Sequence, residues 1–207
     1  CLSLARKGRV KTRPVRRNNC IFYALVVEGN RLYAGSHNGT IGVWDITTQA
    51  EIGRMKGHSS GVMTLAIVGE RLYSGSHDYS IKVWDINCLR ELGCMTGHSG
   101  GVSALVVFGN RLYSGSNDNT IRVWDLVTLE EVGCLRGHTS CVWSLQLSGG
   151  RLYSGSNDKS IRVWDVTRLI EISSPTHLCS AVKTLVISRG KIYSGCLDKT
   201  VKISYKF

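Results

Sequence analysis

The amino-acid sequence predicts an all-β fold assembled from copies of one short unit, and two observations support this prediction. Residues 111–125 (RLYSGSNDNTIRVWD) recur in nearly the same form at Arg71 and Arg151, and more loosely at Arg31 and Lys191, always with a spacing of forty residues. The chain also has 23 glycines and only 2 prolines, which is typical of many tight turns. A fixed period of this length indicates a repeat architecture, so we expect one domain rather than two.

The first half of each unit has the pattern of a β-hairpin. Residues 61–68 (GVMTLAIV) are almost continuously apolar over the length of a strand, which is typical of a strand covered on both faces. Gly69 and Glu70 follow, and a similar pair stands at this place in later units. A tight turn should therefore lead into the second strand, RLYSGS.

The second half of the unit predicts two further strands. Asp78 stands in a turn where its short side chain can bond the backbone, and residues 81–84 (IKVW) have the composition of a β-strand. A fourth strand at residues 91–95 is more polar. Four-stranded sheets with an apolar first strand and a polar fourth strand, repeated radially, form a β-propeller that exposes only short edges.

These features resemble one protein family. Residues 97–125 (GHSGGVSALVVFGNRLYSGSNDNTIRVWD) are similar to a WD40 repeat, with the GH pair, the SGSxD turn and the closing WD at matching offsets. The short first hairpin and the LYSGS string resemble, more narrowly, the WD40 domains of TRAF-type RING ubiquitin ligases and of F-box substrate receptors. The resemblance covers residues 18–207 and implies a WD40-type β-propeller of five four-stranded repeats, at about residues 18–57, 58–97, 98–137, 138–177 and 178–207.

The resemblance also implies a buried chain of hydrogen bonds in the central repeats. This chain links the His of GH, a Ser of the second strand, the turn Asp and the third-strand Trp, because buried polar groups are costly unless all of them are paired. By motif position the three sets are His58, Ser74, Asp78 and Trp84; His98, Ser114, Asp118 and Trp124; and His138, Ser154, Asp158 and Trp164.

The first and last repeats depart from this pattern, and we expect them to be the least stable. Trp44 of the first repeat lacks the expected partners, and the fifth repeat lacks both the His and the Trp. The departing residues are Asn18, Ala34 and Asn38 in the first repeat, and Leu178 and Ser204 in the fifth.

The sequence leaves open whether the five repeats close into a ring or form an arc of a larger propeller. The fifth repeat stops soon after its third strand. Residues 11–15, within the basic N-terminal segment 1–17, stand at the phase of a fourth strand, so this segment could complete the last sheet. That complementarity favours closure slightly. The family usually closes with seven blades, which favours the arc.

Function is expected where the repeats differ, because the shared positions build the scaffold. In the family, side chains just after the first-strand Val and just before the turn Asp project onto the top rim and contact ligands. Trp143 is the most informative of them, since a rim aromatic is a typical interface anchor, although it could equally fill the interior. The predicted top face consists of Tyr23, His37, Met63, His77, Ser103, Asn117, Trp143, Asn157, Lys183 and Leu197.

The sequence predicts no enzyme. Ser, His and Asp recur three times beside a Trp, whereas a nucleophile site would be singular, and no helix follows the glycine turns to offer amides to phosphate. We predict a scaffold that binds a protein or peptide, acidic or phosphorylated, on the top face. It needs no cofactor, metal or small-molecule substrate. The narrower resemblance extends this prediction to substrate recognition for a ubiquitin ligase.

An RNA-associated propeller is the alternative function. The chain carries a net charge of +11, and seven lysines and arginines before residue 18 contribute +7 with no acid among them. Such an arm can contact phosphates. It has no aromatic residue to stack on a base, and a solvated terminus is the commoner explanation.

Composition bounds the remaining possibilities. No apolar run is long enough to span a membrane and no cleavable leader opens the chain, so we expect a cytoplasmic or nuclear protein without membrane contact. The eight cysteines show no CxxC pair or finger spacing, which predicts buried free thiols. Recurring basic residues should satisfy nearby carboxylates rather than line a nucleic-acid groove; these are Arg71, Arg111, Arg151, Lys82, Arg122 and Arg162.

Overall fold

The computed structural model describes residues 20–173 and 176–205, which form strands and turns without a helix. The strands build five antiparallel sheets, named first to fifth in chain order. Each of the first three sheets has four strands, as predicted. Their strands are β1 (Phe22–Glu28), β2 (Arg31–Ser36), β3 (Thr40–Asp45), β4 (Glu51–Lys56), β5 (Val62–Val68), β6 (Arg71–Ser76), β7 (Ile81–Asp85), β8 (Glu91–Met95), β9 (Val102–Phe108), β10 (Arg111–Ser116), β11 (Ile121–Asp125) and β12 (Glu131–Leu135).

The fourth and fifth sheets are less regular. In the fourth sheet the outer strand is divided into two short pieces that both pair with the third strand. The fifth sheet has only three strands among the described residues, so the prediction that it lacks a fourth strand is confirmed for that part of the chain. These strands are β13 (Val142–Ser148), β14 (Arg151–Ser156), β15 (Ser160–Asp165), β16 (Ile170–Glu171), β17 (Thr176–His177), β18 (Val182–Ser188), β19 (Lys191–Cys196) and β20 (Val201–Tyr205).

The first strands of all five sheets lie side by side. Strand β1 packs against β5, β5 against β9, β9 against β13, and β13 against β18. Burial then changes outward through each sheet: in the second sheet, β6 is buried from Leu72 to Ser76, whereas most of β8 is exposed. The predicted order, with the first strand inside and a polar fourth strand outside, is confirmed. The expectation that the first strand is covered on both faces is wrong, because most of β5 is only half-buried and the deepest burial lies in β6.

Apolar side chains of consecutive sheets interlock to form the core. Tyr33 and Ile41 of the first sheet pack in one cluster with Leu72 and Trp84 of the second sheet, and all four are at most 1% exposed. Equivalent clusters join the second sheet to the third and the third to the fourth. Each of the second, third and fourth sheets therefore packs its two faces against its two neighbours, which is how repeat proteins form a continuous interior.

The described sheets form an open arc rather than a closed ring. Within residues 20–173 and 176–205, no packing comparable to that between consecutive first strands joins β18 to β1. Both end sheets keep an apolar face open: Leu25 is 66% and Val201 72% exposed, whereas Ile121, at the position equivalent to Val201, is fully buried. The expected closure is thus not seen in these sheets. Segment 1–17, expected to complete the fifth sheet, lies outside the described residues.

The cysteine prediction needs a correction. Among the described cysteines only Cys196 is buried, while Cys88, Cys94 and Cys179 are exposed. Two of these lie near the polar edge of the second sheet, Cys94 on its outer strand and Cys88 in the turn before it, where solvent reaches both side chains. The described part of the chain also contains no helix that could span a bilayer.

Candidate functional site

Three sets of framework side chains form hydrogen-bond chains at the joints between repeats. In the second sheet, His58 Nδ1 lies 2.7 Å from an Asp78 oxygen, and both His58 Nε2 and Trp84 Nε1 lie 2.7 Å from Ser74 Oγ. The corresponding contacts are 2.6–2.8 Å long in the next two sheets, within the sets His98, Ser114, Asp118 and Trp124, and His138, Ser154, Asp158 and Trp164.

The chemistry of the partners fixes the direction of these bonds. A carboxylate only accepts, so Nδ1 of the neutral imidazole donates to Asp78. The other ring nitrogen, Nε2, then accepts from the Ser74 hydroxyl, which itself accepts the indole N–H of Trp84. Every polar side-chain group of this hydrogen-bond set therefore has a partner. The set has a structural role, because its serine is not available as a nucleophile.

The environment shifts the pKa values of both ionisable members. Burial lowers the pKa of His138 and outweighs the opposing effect of the hydrogen bond that its ring donates to Asp158. For Asp158, burial opposes ionisation, but hydrogen bonds from Ser160 and His138 outweigh it and lower the pKa to about 2. The pair therefore holds a neutral imidazole against an ionised carboxylate.

Sequence reasoning missed a second buried serine in each central sheet. The hydroxyl of Ser76 donates to the Ser60 carbonyl at 3.0 Å and accepts the Asp78 amide, so it ties the incoming loop to the turn. The same contacts occur at Ser116 and Ser156. The signal was present in the sequence, because the last Ser of RLYSGS recurs every forty residues.

The end sheets replace this chain with weaker local bonding. In the first sheet, Ser36 donates to Asn38 and Ala34 offers Trp44 no hydroxyl. In the fifth sheet, the exposed Asp198 accepts from Thr200 and pairs with Lys202 across 3.3 Å. Residue 18, predicted to replace a framework His, lies outside the described residues.

The recurring basic side chains divide into two groups. Lys82 pairs with Glu91 at 2.6 Å, and Arg122 and Arg162 form the same ion pair with Glu131 and Glu171, so the carboxylate prediction is confirmed for these three. Arg71 and Arg111 donate to backbone carbonyls of the next sheet, at Leu126 and Val166, which corrects the prediction for Arg71. Arg111 and Arg151 also act on carboxylates, since their charges help to lower the pKa values of Asp125 and Asp165.

Each sheet brings its two predicted top-face residues to the same edge. The amide of the residue before the turn Asp donates to a carbonyl at the start of the first strand, as from His77 to Gly61 and from Asn157 to Cys141, both at 2.9 Å. The carbonyl that accepts this bond lies two residues before the other member of the pair, as Gly61 does before Met63, so the two side chains lie close together. The pairs are Tyr23 with His37, Met63 with His77, Ser103 with Asn117, Trp143 with Asn157, and Lys183 with Leu197.

Neighbouring sheets also meet along this edge. The Lys183 ammonium lies 4.5 Å from the centre of the Trp143 ring, which is cation–π geometry between the fourth and fifth sheets. Gly101 lies between His77 and Asn117, and a Cβ atom there would come within 2.8 Å of His77 Nδ1. The edge is therefore a continuous surface in which small residues let the side chains of adjacent sheets approach.

The top-face residues differ in how free they are to bind. Tyr23, Lys183 and Leu197 are exposed and Trp143 is half-buried. Ser103, in contrast, donates its hydroxyl to the Val142 carbonyl of the next sheet, so it contributes to packing between the sheets. The described residues contain no cluster of His, Cys, Asp or Glu that could hold a metal ion.

Solved structures with the same fold are longer than this chain. A computationally designed protein, Ika8, is 33% identical to this chain with a TM-score of 0.79, and the match extends over 89% of this chain and 58% of the Ika8 chain. The RRP9 WD40 repeats are 24% identical with a TM-score of 0.85, covering 93% and 62%. A chain of the mitotic checkpoint complex is 25% identical with a TM-score of 0.84, covering 92% and 63%. The chain thus spans about three fifths of their length.

Sequence comparison identifies the family directly. None of the curated proteins compared with the chain matches it. The family model described as WD domain, G-beta repeat matches residues 49–85, 87–125 and 129–165, which is more than half of the sequence. These matches fall on the repeats that carry the complete hydrogen-bond chains. The chain belongs to the WD40 repeat family.

Proposed function

We propose that this chain is a non-enzymatic scaffold that binds a protein or peptide segment on its top face. The family supports the coarser part of this proposal, since WD40 propellers typically bind proteins. The observation that carries the finer part is the stacked pair of Trp143 and Lys183, where an aromatic anchor and a cation from adjacent sheets meet on one edge. Aromatic side chains that become buried on binding contribute most of the binding energy of many interfaces.

The charge of the top face supports an acidic partner. None of the ten predicted rim positions is Asp or Glu, while Lys183 is exposed and cationic. A carboxylate or phosphate of the partner can approach this ammonium while an apolar side chain contacts Trp143 and Leu197. No arginine stands at the rim positions to form two parallel bonds with phosphate, so recognition of phosphate would depend on the lysine as a point charge.

A peptide-binding titration tests this proposal. Fluorescence anisotropy with acidic, phosphorylated and neutral peptides should show preference for the first two. We expect Trp143→Ala and Lys183→Glu to weaken binding at least about tenfold, the size of about 1.4 kcal/mol. Matched controls at the opposite edge, Phe108→Ala and Lys191→Glu, should bind like the parent. Parent-like affinity in both rim variants, with folding intact, would reject the site.

We extend the proposal to substrate recognition for a ubiquitin ligase acting in the cytoplasm or nucleus. Its support is the resemblance of the short first hairpin and of LYSGS to ligase-associated WD40 domains. The test is reconstituted ubiquitin transfer to a top-face ligand by ligase subunits that co-purify with the chain. Recovery of the ligand complex without any ligase subunit contradicts this extension and leaves peptide binding intact.

The alternative function is association with RNA through the basic segment 1–17, which carries +7. Its affinity should fall steeply with salt, by orders of magnitude between about 50 and 200 mM, because binding releases counterions. Deletion of residues 1–17 should abolish RNA binding and leave peptide binding unchanged. Salt-insensitive RNA binding, or binding that survives the deletion, excludes this role for the segment.

A further inference from the structure

Each central interface between sheets is filled by a tryptophan from the later sheet. Trp84 lies opposite Leu72 in the strand register and packs with Tyr33 and Ile41 of the preceding sheet. Trp124 and Trp164 occupy the same position in the next two interfaces, in clusters that contain the equivalent Tyr and Ile residues. An indole ring is therefore a regular component of the packing between sheets.

The interface between the fourth and fifth sheets lacks this ring. Ser204 lies opposite Ile192, the register position that Trp84 occupies opposite Leu72. The fourth sheet still presents its half of the packing, Tyr153 and Ile161, which are 1% and 2% exposed. Both residues pack with Ile192 of the fifth sheet, but the side chain of serine is far smaller than indole and leaves the space beside Ser204 unfilled.

A cavity occupies this interface. Its volume is about 710 Å³, and its walls include Tyr153, Ile161 and Val163 of the fourth sheet and Ile192 and Ser204 of the fifth. We name it the Ser204 cavity. Its volume falls in the range of about 300–1,000 Å³ that is typical of sites for small organic molecules, which are mostly apolar with a few polar groups.

The wall of the Ser204 cavity is mixed, with polar side chains beside the apolar ones. Arg151, Asp165 and Ser204 line it together with the aliphatic walls. The hydroxyl groups of Ser173, Thr176 and Ser204 lie on its wall and can accept a hydrogen bond, whereas Ser194, at the position of Ser74, is fully buried and outside the wall. The surroundings therefore suit a planar ring that carries a hydrogen-bonding N–H.

We propose that the Ser204 cavity is a binding site for a small planar aromatic molecule of the indole type. The ligand lies beside Ser204, at the register position of the third-strand tryptophan, where Tyr153, Ile161 and Ile192 border the cavity. It is a bound ligand and undergoes no reaction. Its binding joins the fifth sheet more firmly to the fourth, because it completes the apolar packing between them.

Calorimetric titration with indole tests the site. The parent should bind indole, and Ser204→Trp should weaken binding at least tenfold because the new side chain fills the cavity. Val127→Trp adds the same ring at a loop position that is 72% exposed and should bind like the parent. Absence of indole binding by the parent, or parent-like binding by a folded Ser204→Trp, overturns the proposal.

A second variant keeps the test decisive where Ser204→Trp does not fold. Val163→Phe reduces the cavity from the fourth-sheet wall, and indole should again bind at least tenfold more weakly. Hydrogen exchange supplies an independent measurement. Saturating indole should slow exchange of amides in β18–β20 of the parent and leave those of β5–β8 unchanged; slowing confined to other sheets places the ligand elsewhere and overturns the proposal.

Discussion

His98 Nδ1 lies 2.6 Å from a carboxylate oxygen of Asp118, twenty residues further along the chain. The His98 side chain is fully buried and that of Asp118 is 6% exposed. The contact joins the loop that enters the third sheet to the turn between its second and third strands. Asp118 also accepts the Ser99 amide and the Thr120 hydroxyl, so one carboxylate holds two loop segments together.

Asp118→Asn should lower the free energy of unfolding by about 1–3 kcal/mol, the usual cost of a disrupted buried hydrogen bond. The amide keeps the shape of the side chain but removes the charge, and its NH₂ group cannot accept from His98. Urea denaturation followed by tryptophan fluorescence measures the change.

Asp198→Asn is the matched control for this prediction. Asp198 stands at the equivalent turn of the fifth sheet, but it is exposed and Leu178 replaces its histidine. Its effect should stay within about 0.5 kcal/mol, as for other surface substitutions. Equal losses in the two variants would show that the buried pair adds nothing beyond the turn itself.

Acidification should destabilise the protein in two stages. His138 has a folded pKa below its ordinary value of 6.5, so the unfolded chain binds the proton first and stability declines as the pH falls below about 6.5. Asp158 has a folded pKa of about 2 against an ordinary 3.8, so its contribution is present above 3.8 and is lost as the pH falls from 3.8 towards 2. Urea denaturation from pH 8 to about pH 2 measures both slopes.

The variant Asp158→Asn separates the two stages. It removes the titrating carboxylate, so stability should vary less with pH below 3.8 than in the parent. A parent-like acid slope in this variant would assign the acid sensitivity to other groups.

Ala34→Ser should stabilise the first sheet by about 0.5–1.5 kcal/mol, the net value of one added hydrogen bond. Ala34 is 2% exposed and occupies the position of Ser74, and the new hydroxyl should draw the Trp44 ring from its place over Gly42 into the orientation of Trp84, where the indole N–H donates to the serine. Thermal and urea unfolding measure the gain. Ala34→Val is the control, because it adds buried volume without an acceptor and should destabilise by about 1–3 kcal/mol. A loss in both variants would contradict the missing-acceptor explanation.

The rate at which each cysteine is alkylated should depend on the solvent exposure of its thiol. In the native protein, iodoacetamide should modify the exposed Cys88, Cys94 and Cys179 at least about tenfold faster than the buried Cys196, because alkylation requires an accessible thiol. Mass spectrometry of peptides after timed labelling gives the individual rates. Uniform rates in native protein that become no faster in urea would contradict the burial described for Cys196.

The framework could be read from the sequence because its signals repeat. The fourth strand predicted at residues 91–95 is β8, and the partners of His98 lie where motif position placed them. A residue that recurs every forty positions must meet the same surroundings each time, so one unit predicts the others.

Features between repeats were harder to predict. The acceptor for Arg111 is the Val166 carbonyl, fifty-five residues away in the next sheet, and a backbone carbonyl leaves no trace in residue types. The Ser204 cavity depends on the size of a side chain that is missing, together with the opposing wall at Tyr153 and Ile161. The sequence showed the substitution, but only the packed sheets show the space it leaves.

The arginine hydrogen bonds between sheets all run the same way, from an earlier sheet to the next one along the chain. Arg31, Arg71 and Arg111 each reach forward to a carbonyl of the following sheet. Each of these sheets is therefore bonded to the one that follows it, and unfolding of the later sheet removes the acceptor of the arginine in the sheet before it. Under mechanical tension applied at the C-terminal end, we expect the protein to yield in steps, from the fifth sheet back towards the first.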